Sequence, residues 1–245
     1  MYSSLHKAKQ ILSSLEEERD ISYAHFLTDS IKVSSHPESI LGIRMGVLRS
    51  ASKNLAKVLQ EEEALTLLYP LAKKYYEYKI VFGGVVERVS TPQRSVPLLF
   101  SLCDGWAVPD YYKEVLCTYA EKGAKEYILT SLREQVSSPN PYARRLTVVA
   151  WHNLLNKRMA TPVEAFKHFQ LLEKDENYYV QMALAWLLAE MSIRYPCEMQ
   201  DFLTQHPIQS HKVAQMYQQK RRDSLRLFPR KEKKSQRPSY STDNY

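Results

Sequence analysis

NYYVQMALAWLLAEMSIRYP, residues 177–196, is the stretch that says most about the fold. Its apolar residues recur at intervals of three and four, which indicates a helix. At about 100° per residue, one stripe of that helix collects Val180, Ala183, Leu184, Leu187, Leu188 and Met191. Trp186 lies roughly 130° from the centre of the stripe, beside Tyr179 and Met182. Trp186 therefore either packs against a neighbouring helix or faces a groove, where it would touch a ligand.

Similar periodicity extends along the chain in both directions. Leu5, Ala8, Leu12 and Leu15 mark a first helix, and Leu48, Ala51, Leu55 and Leu59 mark another. Further helix starts are predicted at Thr91-Pro92, at Pro109, at Asn140-Pro141, and at Thr161-Pro162, where Glu164 suggests a capping box.

The longer helices repeat at a regular interval. They begin near Tyr75, Val108, Pro141, Asn177 and Ser210, a spacing of roughly 33–36 residues, and shorter helices fill the gaps. A compact bundle would show similar helices, but the repeated pairs favour an all-α fold. They predict an α-solenoid of HEAT-like antiparallel helix pairs, in which one helix of each pair lines a concave groove.

Composition and charge limit the classes of protein to which the chain can belong. Of its 245 residues, 44% are hydrophobic, and no apolar run is long enough to predict a membrane span. Nine basic residues against two acids between Lys220 and Arg237 account for the whole net charge of +7. If the remainder binds DNA, its charges must therefore be segregated onto one face. We expect residues 1–227 to form the helical-repeat domain and residues 228–245 a disordered basic tail. The tail either anchors on DNA or keeps the protein in solution.

Conventional catalytic motifs are not found. The segment FGGVV, residues 82–86, follows a helical pattern and lacks the spacing of a phosphate-binding loop. His152 is interpreted as a packed or surface residue of a helix, and we expect no metal and no cofactor. With no signal peptide visible and three scattered cysteines, Cys103, Cys117 and Cys197, a reducing cytoplasm is the expected compartment.

Two segments could carry chemistry. In CDGWAVPDYYKEVL, residues 103–116, Asp110 follows Trp106 by four residues near a helix start. Asp110 could be an ordinary helix-start residue, or an ionised carboxylate that stabilises a developing cation and orients water beside an indole. In YARRLTVVA, residues 142–150, Arg145 lies on the shoulder of the apolar stripe and Arg144 points further toward solvent. Arg145 is either solvated or placed at a groove rim, where it would bind phosphate.

Several segments in order resemble the AlkD-like DNA alkylation repair family of HEAT-repeat glycosylases. These are LGIRMGVLRSASKNLAK, YYEYKIVFGGVV, GWAVPD, YARRLTVVA, YYVQMALAWLLAEMSIRYP and HKVAQMYQQKRR, and the resemblance covers about residues 5–222. It implies that Trp106, Asp110 and Trp186 frame the deoxyribose of the lesion. It also implies that Arg145 holds the DNA backbone. Weaker DNA-binding candidates are Arg144, Arg44, Arg49, Lys212 and Tyr179.

The resemblance implies a monofunctional DNA glycosylase, a hydrolase that releases cationic N3- or N7-alkylated purines from duplex DNA without a cofactor. A monomer associated with the nucleoid is expected. The alternatives are a catalytically inactive solenoid that binds damaged or branched DNA, and a scaffold that binds protein partners.

Overall fold

The computed structural model describes residues 3–31 and 39–224, and all regular structure within these ranges is helical. The helices are α1 Ser4–Glu17, α2 Ile21–Ile31, α3 Met45–Ala56, α4 Glu61–Lys74, α5 Tyr76–Val89, α6 Pro92–Ser101, α7 Ala107–Tyr119, α8 Lys125–Glu134, α9 Pro141–Asn156, α10 Pro162–Leu172, α11 Tyr178–Arg194, α12 Pro196–Gln205 and α13 His211–Asp223. A π-helical turn, Ala120–Ala124, joins α7 to α8. None of the described helices is both long and apolar enough to cross a membrane. The predicted tail, residues 228–245, lies outside the described ranges.

The helices form the predicted α-solenoid. From α4 onward they come in consecutive pairs, and the second helix of each pair packs against the second helix of the next. Helices α3, α5, α7, α9, α11 and α13 thereby make one continuous row, and the shorter α6, α8, α10 and α12 lie outside it. The row lines the concave groove of the all-α fold.

The predicted repeat spacing appears directly in hydrogen bonds between neighbouring repeats. The Tyr112 hydroxyl of α7 donates to the Lys79 carbonyl of α5 at 2.9 Å. Near the other end of the two helices, the Tyr119 hydroxyl of α7 donates to the Val86 carbonyl of α5 at 2.7 Å. Both pairs are separated by 33 residues. Because a buried phenol hydroxyl needs a partner, these bonds fix the register of α7 on α5.

The helix starts follow the sequence signals, with one shift. The Thr161 hydroxyl and the Glu164 carboxylate form the predicted capping box of α10, and Asn140 caps α9. The predicted start of α7 at Pro109 is wrong, because the helix begins two residues earlier, at Ala107. Pro109 is thus the third residue, where its missing N–H breaks no bond within the helix.

Two glycines of α5 allow the neighbouring helices α3 and α7 to approach it closely. A Cβ on Gly83 would lie 2.7 Å from the Tyr112 ring, and one on Gly84 would lie 2.8 Å from Ser52 of α3. Both glycines are buried inside α5, which confirms the interpretation of FGGVV as helix. They serve packing between helices, and the close contact at Gly83 holds the first half of α7 against α5.

Candidate active site

A cleft of about 470 Å³ opens on the groove and includes five of the residues that the sequence singled out, namely Trp106, Asp110, Arg145, Tyr179 and Trp186. Its lining comprises Ser30, Trp106, Asp110, Arg145, Tyr178, Tyr179, Met182, Trp186 and Lys220. These residues come from α2, α7, α9, α11 and α13 and from the residue preceding α7. Trp106, Asp110 and Trp186, which are far apart in the sequence, therefore share one cleft. The aromatic face of α11 looks into the groove, and Trp186 also packs against α9, so both interpretations from the sequence hold in part.

Asp110 and Arg145 form an ion pair at the wall of the cleft. Arg145 Nη2 donates to both carboxylate oxygens, at 2.8 Å to Oδ1 and 3.1 Å to Oδ2. Arg145 Nη1 donates to the Tyr179 carbonyl at 2.8 Å. Arg145 is only 2% exposed. Neither alternative from the sequence holds, because Arg145 is not solvated and both of its terminal nitrogens bind groups of the protein. Arg145 joins α7, α9 and α11 around Asp110.

The Asp110 carboxylate keeps access to the cleft. Its side chain is 24% exposed although Arg145 covers one side. Asp110 is the fourth residue of α7, so the positive end of the helix dipole favours its charge. An ionised carboxylate offers about four acceptor positions, and Arg145 occupies only part of them. Asp110 can thus accept a hydrogen bond from water, or stabilise a cation, on the side that faces the cleft.

Trp186 is held between two side chains. The His152 ring of α9 lies 4.5 Å from it, centroid to centroid, and Lys113 Nζ of α7 lies 4.4 Å from its centroid. His152 is buried, as a packed residue was expected to be. Buried Glu190 lies 3.6 Å from His152 Nε2 and accepts a hydrogen bond from Arg194 Nε at 2.6 Å. These contacts fix the indole that forms the α11 wall of the cleft.

Two lysines beside Asp110 were not predicted as site residues. Lys220 lines the cleft itself, and burial together with the nearby Arg145 charge lowers its pKa. Burial also lowers the pKa of Lys113, against the opposing effect of Asp110. Lys113 lies three residues after Asp110, so the helical period alone puts both on one face. In the sequence, Lys220 stands out only as the first residue of the basic segment.

A second recess, of about 400 Å³, shares Asp110 with the cleft as a lining residue. It brings together the cations Arg49, Lys53, Arg88 and Lys113, from α3, α5 and α7, with Glu87 and Glu114. The Asp110 carboxylate thus lines both an aromatic cleft and a second recess in which four cations lie among three acids. Arg49 is the one weaker candidate from the sequence that this recess includes.

The other predicted cations lie in different surroundings. Arg144 donates from Nη2 to Asp175 at 3.2 Å and from Nη1 to the Ser138 carbonyl at 2.7 Å. At 20% exposed, Arg144 does lie further toward solvent than Arg145, as expected, but these contacts tie it to the protein. Arg44 lies 3.3 Å from Asp20 and stacks 3.8 Å from the centroid of the Tyr23 ring, at the start of α3. Lys212 is exposed on α13 and is not among the residues that line the cleft.

Comparison with known proteins gives a consistent result. A family model described as DNA alkylation repair enzyme matches residues 11–228. AlkD2 from Streptococcus mutans superposes with a TM-score of 0.58 at 17% identity, over 81% of this chain and 96% of that one. A predicted DNA alkylation repair enzyme from Enterococcus faecalis gives a TM-score of 0.61 at 15% identity, over 82% and 95%. These two structures share the fold. No curated protein matches the sequence.

Proposed function

The chain belongs to the DNA alkylation repair enzyme family, and on that premise we propose that it is a monofunctional DNA glycosylase. Its substrate would be duplex DNA that carries a cationic N3- or N7-alkylated purine. The observation that carries the proposal is the single cleft that holds Trp106, Asp110 and Trp186. The reaction is hydrolysis of the N-glycosidic bond, which leaves the free base and an abasic site.

The protein mainly has to stabilise the sugar cation that forms as the base leaves. An alkylated purine that already carries a positive charge is a good leaving group, so the difficult part is the oxocarbenium-like sugar. Asp110, on the exposed side of its carboxylate, stabilises that cation and holds the attacking water. The faces of Trp106 and Trp186 attract the electron-poor sugar from the cleft walls. The cleft opens onto the groove, so the sugar can be reached without a deep base pocket.

The buried position of Arg145 changes the role that the resemblance implied. Because Arg145 contacts Asp110 and the Tyr179 carbonyl, we assign it to orienting the carboxylate. Contacts to DNA phosphate pass to Lys220, which lines the cleft with Asp110, and to Lys113 and Arg49, which line the second recess with it. Each such contact would contribute to a salt-dependent affinity for DNA.

The decisive experiment is release of N7-methylguanine from duplex DNA under single-turnover conditions. The wild-type protein should release the base, and Asp110→Asn should release it at least about a hundredfold more slowly, in the range of a lost electrostatic contact to a transition state. Asp110→Asn keeps an acceptor oxygen for Arg145 but removes the negative charge, so its melting temperature and its Kd for DNA are measured beside the rate to separate lost chemistry from lost folding. Equal rates for both proteins would remove Asp110 from the mechanism.

One observation favours a second candidate, a solenoid that binds damaged or branched DNA without cleaving it. Arg145 already neutralises part of the Asp110 charge, which weakens the carboxylate as a partner for a cationic sugar. That candidate predicts salt-sensitive DNA binding and no abasic product from the wild-type protein. Absence of base release together with retained binding would therefore select it.

A further inference from the structure

Lys79 is a buried amine on α5 that lies outside the cleft. It is 2% exposed and forms an ion pair with Asp104, in the turn between α6 and α7. The backbone carbonyl of the same residue accepts the hydrogen bond from the Tyr112 hydroxyl, at 2.9 Å. A single residue of the preceding repeat therefore contacts both the turn before α7 and the first half of α7.

These two contacts enclose the segment that carries the site. Asp104 precedes Trp106 by two residues, and Tyr112 follows Asp110 by two residues. The supporting helix is rigid at this point, because α5 is buried at every residue from 76 to 86. Lys79 thus holds both ends of the segment from 104 to 112 against a fixed surface.

The ion pair specifies geometry more than it adds stability. Burying a lysine costs desolvation energy, and apolar residues of similar volume often stabilise a core equally well. What an apolar residue cannot do is hold the Asp104 carboxylate at one point. From the opposite side, Asn140 Nδ2 donates to the Cys103 carbonyl at 2.7 Å, so the turn is fixed from both neighbouring repeats.

We propose that Lys79 is a positioning residue, which sets the location of Trp106 and Asp110 in the cleft by binding Asp104 and Tyr112. The activity part of this proposal rests on the proposed base release; the structural part does not. Loss of the amine should let the turn move and displace the Trp106 indole, while the α5–α7 contact through the Lys79 carbonyl remains.

The first test is ¹⁹F NMR of protein labelled with 5-fluorotryptophan, which gives one signal for each of the three tryptophans. Substitution of each tryptophan by Phe assigns the signals. Lys79→Met should shift or broaden the Trp106 signal and leave the Trp151 signal in place. An unchanged Trp106 signal in folded Lys79→Met overturns the proposal, and so do equal shifts of all three signals.

The second test separates rate from affinity. Lys79→Met should lower the single-turnover rate of N7-methylguanine release about tenfold, as expected for a displaced site, without changing the Kd for DNA. Lys157→Met is the matched control, because it removes an exposed amine that pairs with Glu121 at 2.8 Å. A rate for Lys79→Met equal to that of the control overturns the positioning role.

Failure of Lys79→Met to fold and absence of base release by the wild type are each distinguished from failure of the positioning role. If Lys79→Met does not fold, Lys79→Met/Asp104→Asn removes both charges and is measured in its place. If the wild-type protein releases no base, the proposed function fails, and the Trp106 signal alone decides whether Lys79 positions the segment.

Discussion

The Asp110–Arg145 pair predicts an unequal cost for its two partners. Asp110→Leu leaves the guanidinium of Arg145 unpaired at a position that is 2% exposed. Leaving a buried charge unpaired costs about 3–5 kcal/mol of the free energy of unfolding. Arg145→Met leaves Asp110, which is 24% exposed, near the start of α7. Water and the helix dipole then replace part of the lost contact, so the cost falls to about 1–2 kcal/mol.

Arg145→Met also removes the hydrogen bond to the Tyr179 carbonyl, but that carbonyl is not left without a partner. The Tyr179 carbonyl, which Arg145 also contacts, lies within α11 and can still accept an intrahelical bond. The double variant Asp110→Leu/Arg145→Met removes both charges, and its cost should be well below the sum of the single costs, because no unpaired charge remains.

Urea unfolding monitored by circular dichroism measures these differences at pH 7. Asp110→Leu should be less stable than Arg145→Met by roughly 2 kcal/mol, and its melting temperature lower by about 4–8 °C for a chain of this size. An Arg145→Met variant that is as unstable as Asp110→Leu would refute the argument from burial. Additive costs in the double variant would show that the two groups do not interact.

Three further predictions concern packing and acid. Gly83→Ala should lower the free energy of unfolding by about 1–3 kcal/mol, because its Cβ meets the Tyr112 ring at 2.7 Å. Gly46→Ala is the control, since the space around Gly46 is open. Equal melting temperatures of the two variants would contradict the prediction. Hydrogen bonds from backbone and hydroxyl groups at the start of α6 lower the pKa of Glu61 to about 2 from an ordinary value of 4.5. Glu61 therefore stabilises the protein above pH 4.5. The difference in melting temperature between wild type and Glu61→Gln should become smaller as the pH falls toward 2. A difference that grows in acid would contradict the prediction. Burial lowers the pKa of His168 to about 3 from 6.5, so below pH 6.5 the unfolded chain binds a proton that the folded chain does not. His168→Gln should therefore lose less stability than wild type between pH 6.5 and 5. Parallel curves of melting temperature against pH for the two proteins would contradict this.

Much of the fold was predictable because its signals are local. A capping residue and a first-turn proline act within one helical turn, so the starts of α6, α9 and α10 could be located from the sequence. The position of Trp186 off the apolar stripe depends on the period of one helix, and it correctly indicated a second environment for the indole. The repeat spacing could be seen because each helix pair has nearly the same length.

The partners of the site side chains were not predictable by the same means. Arg145 lies on the shoulder of its own apolar stripe, which by itself fits a surface cation equally well. Its burial depends on a carboxylate 35 residues away and on a carbonyl 34 residues away. Arg144 is likewise held by Asp175, across the next repeat. A helical wheel describes one helix, whereas these contacts depend on how three helices pack.

The charge balance of the cleft suggests an order of events. Among the described residues that line it, Asp110 is the only acid, and Arg145 and Lys220 are the cations. An excess of positive charge attracts the phosphates of DNA but opposes a cationic base and sugar. If phosphates bound Lys220 and Lys113, those positive charges would be compensated, and Asp110 with the two indoles would dominate the field at the sugar. On the proposed function, the backbone contacts would therefore contribute to the rate of base release as well as to affinity. Lys220→Met should then reduce the single-turnover rate even at saturating DNA, whereas exposed Lys212→Met should not.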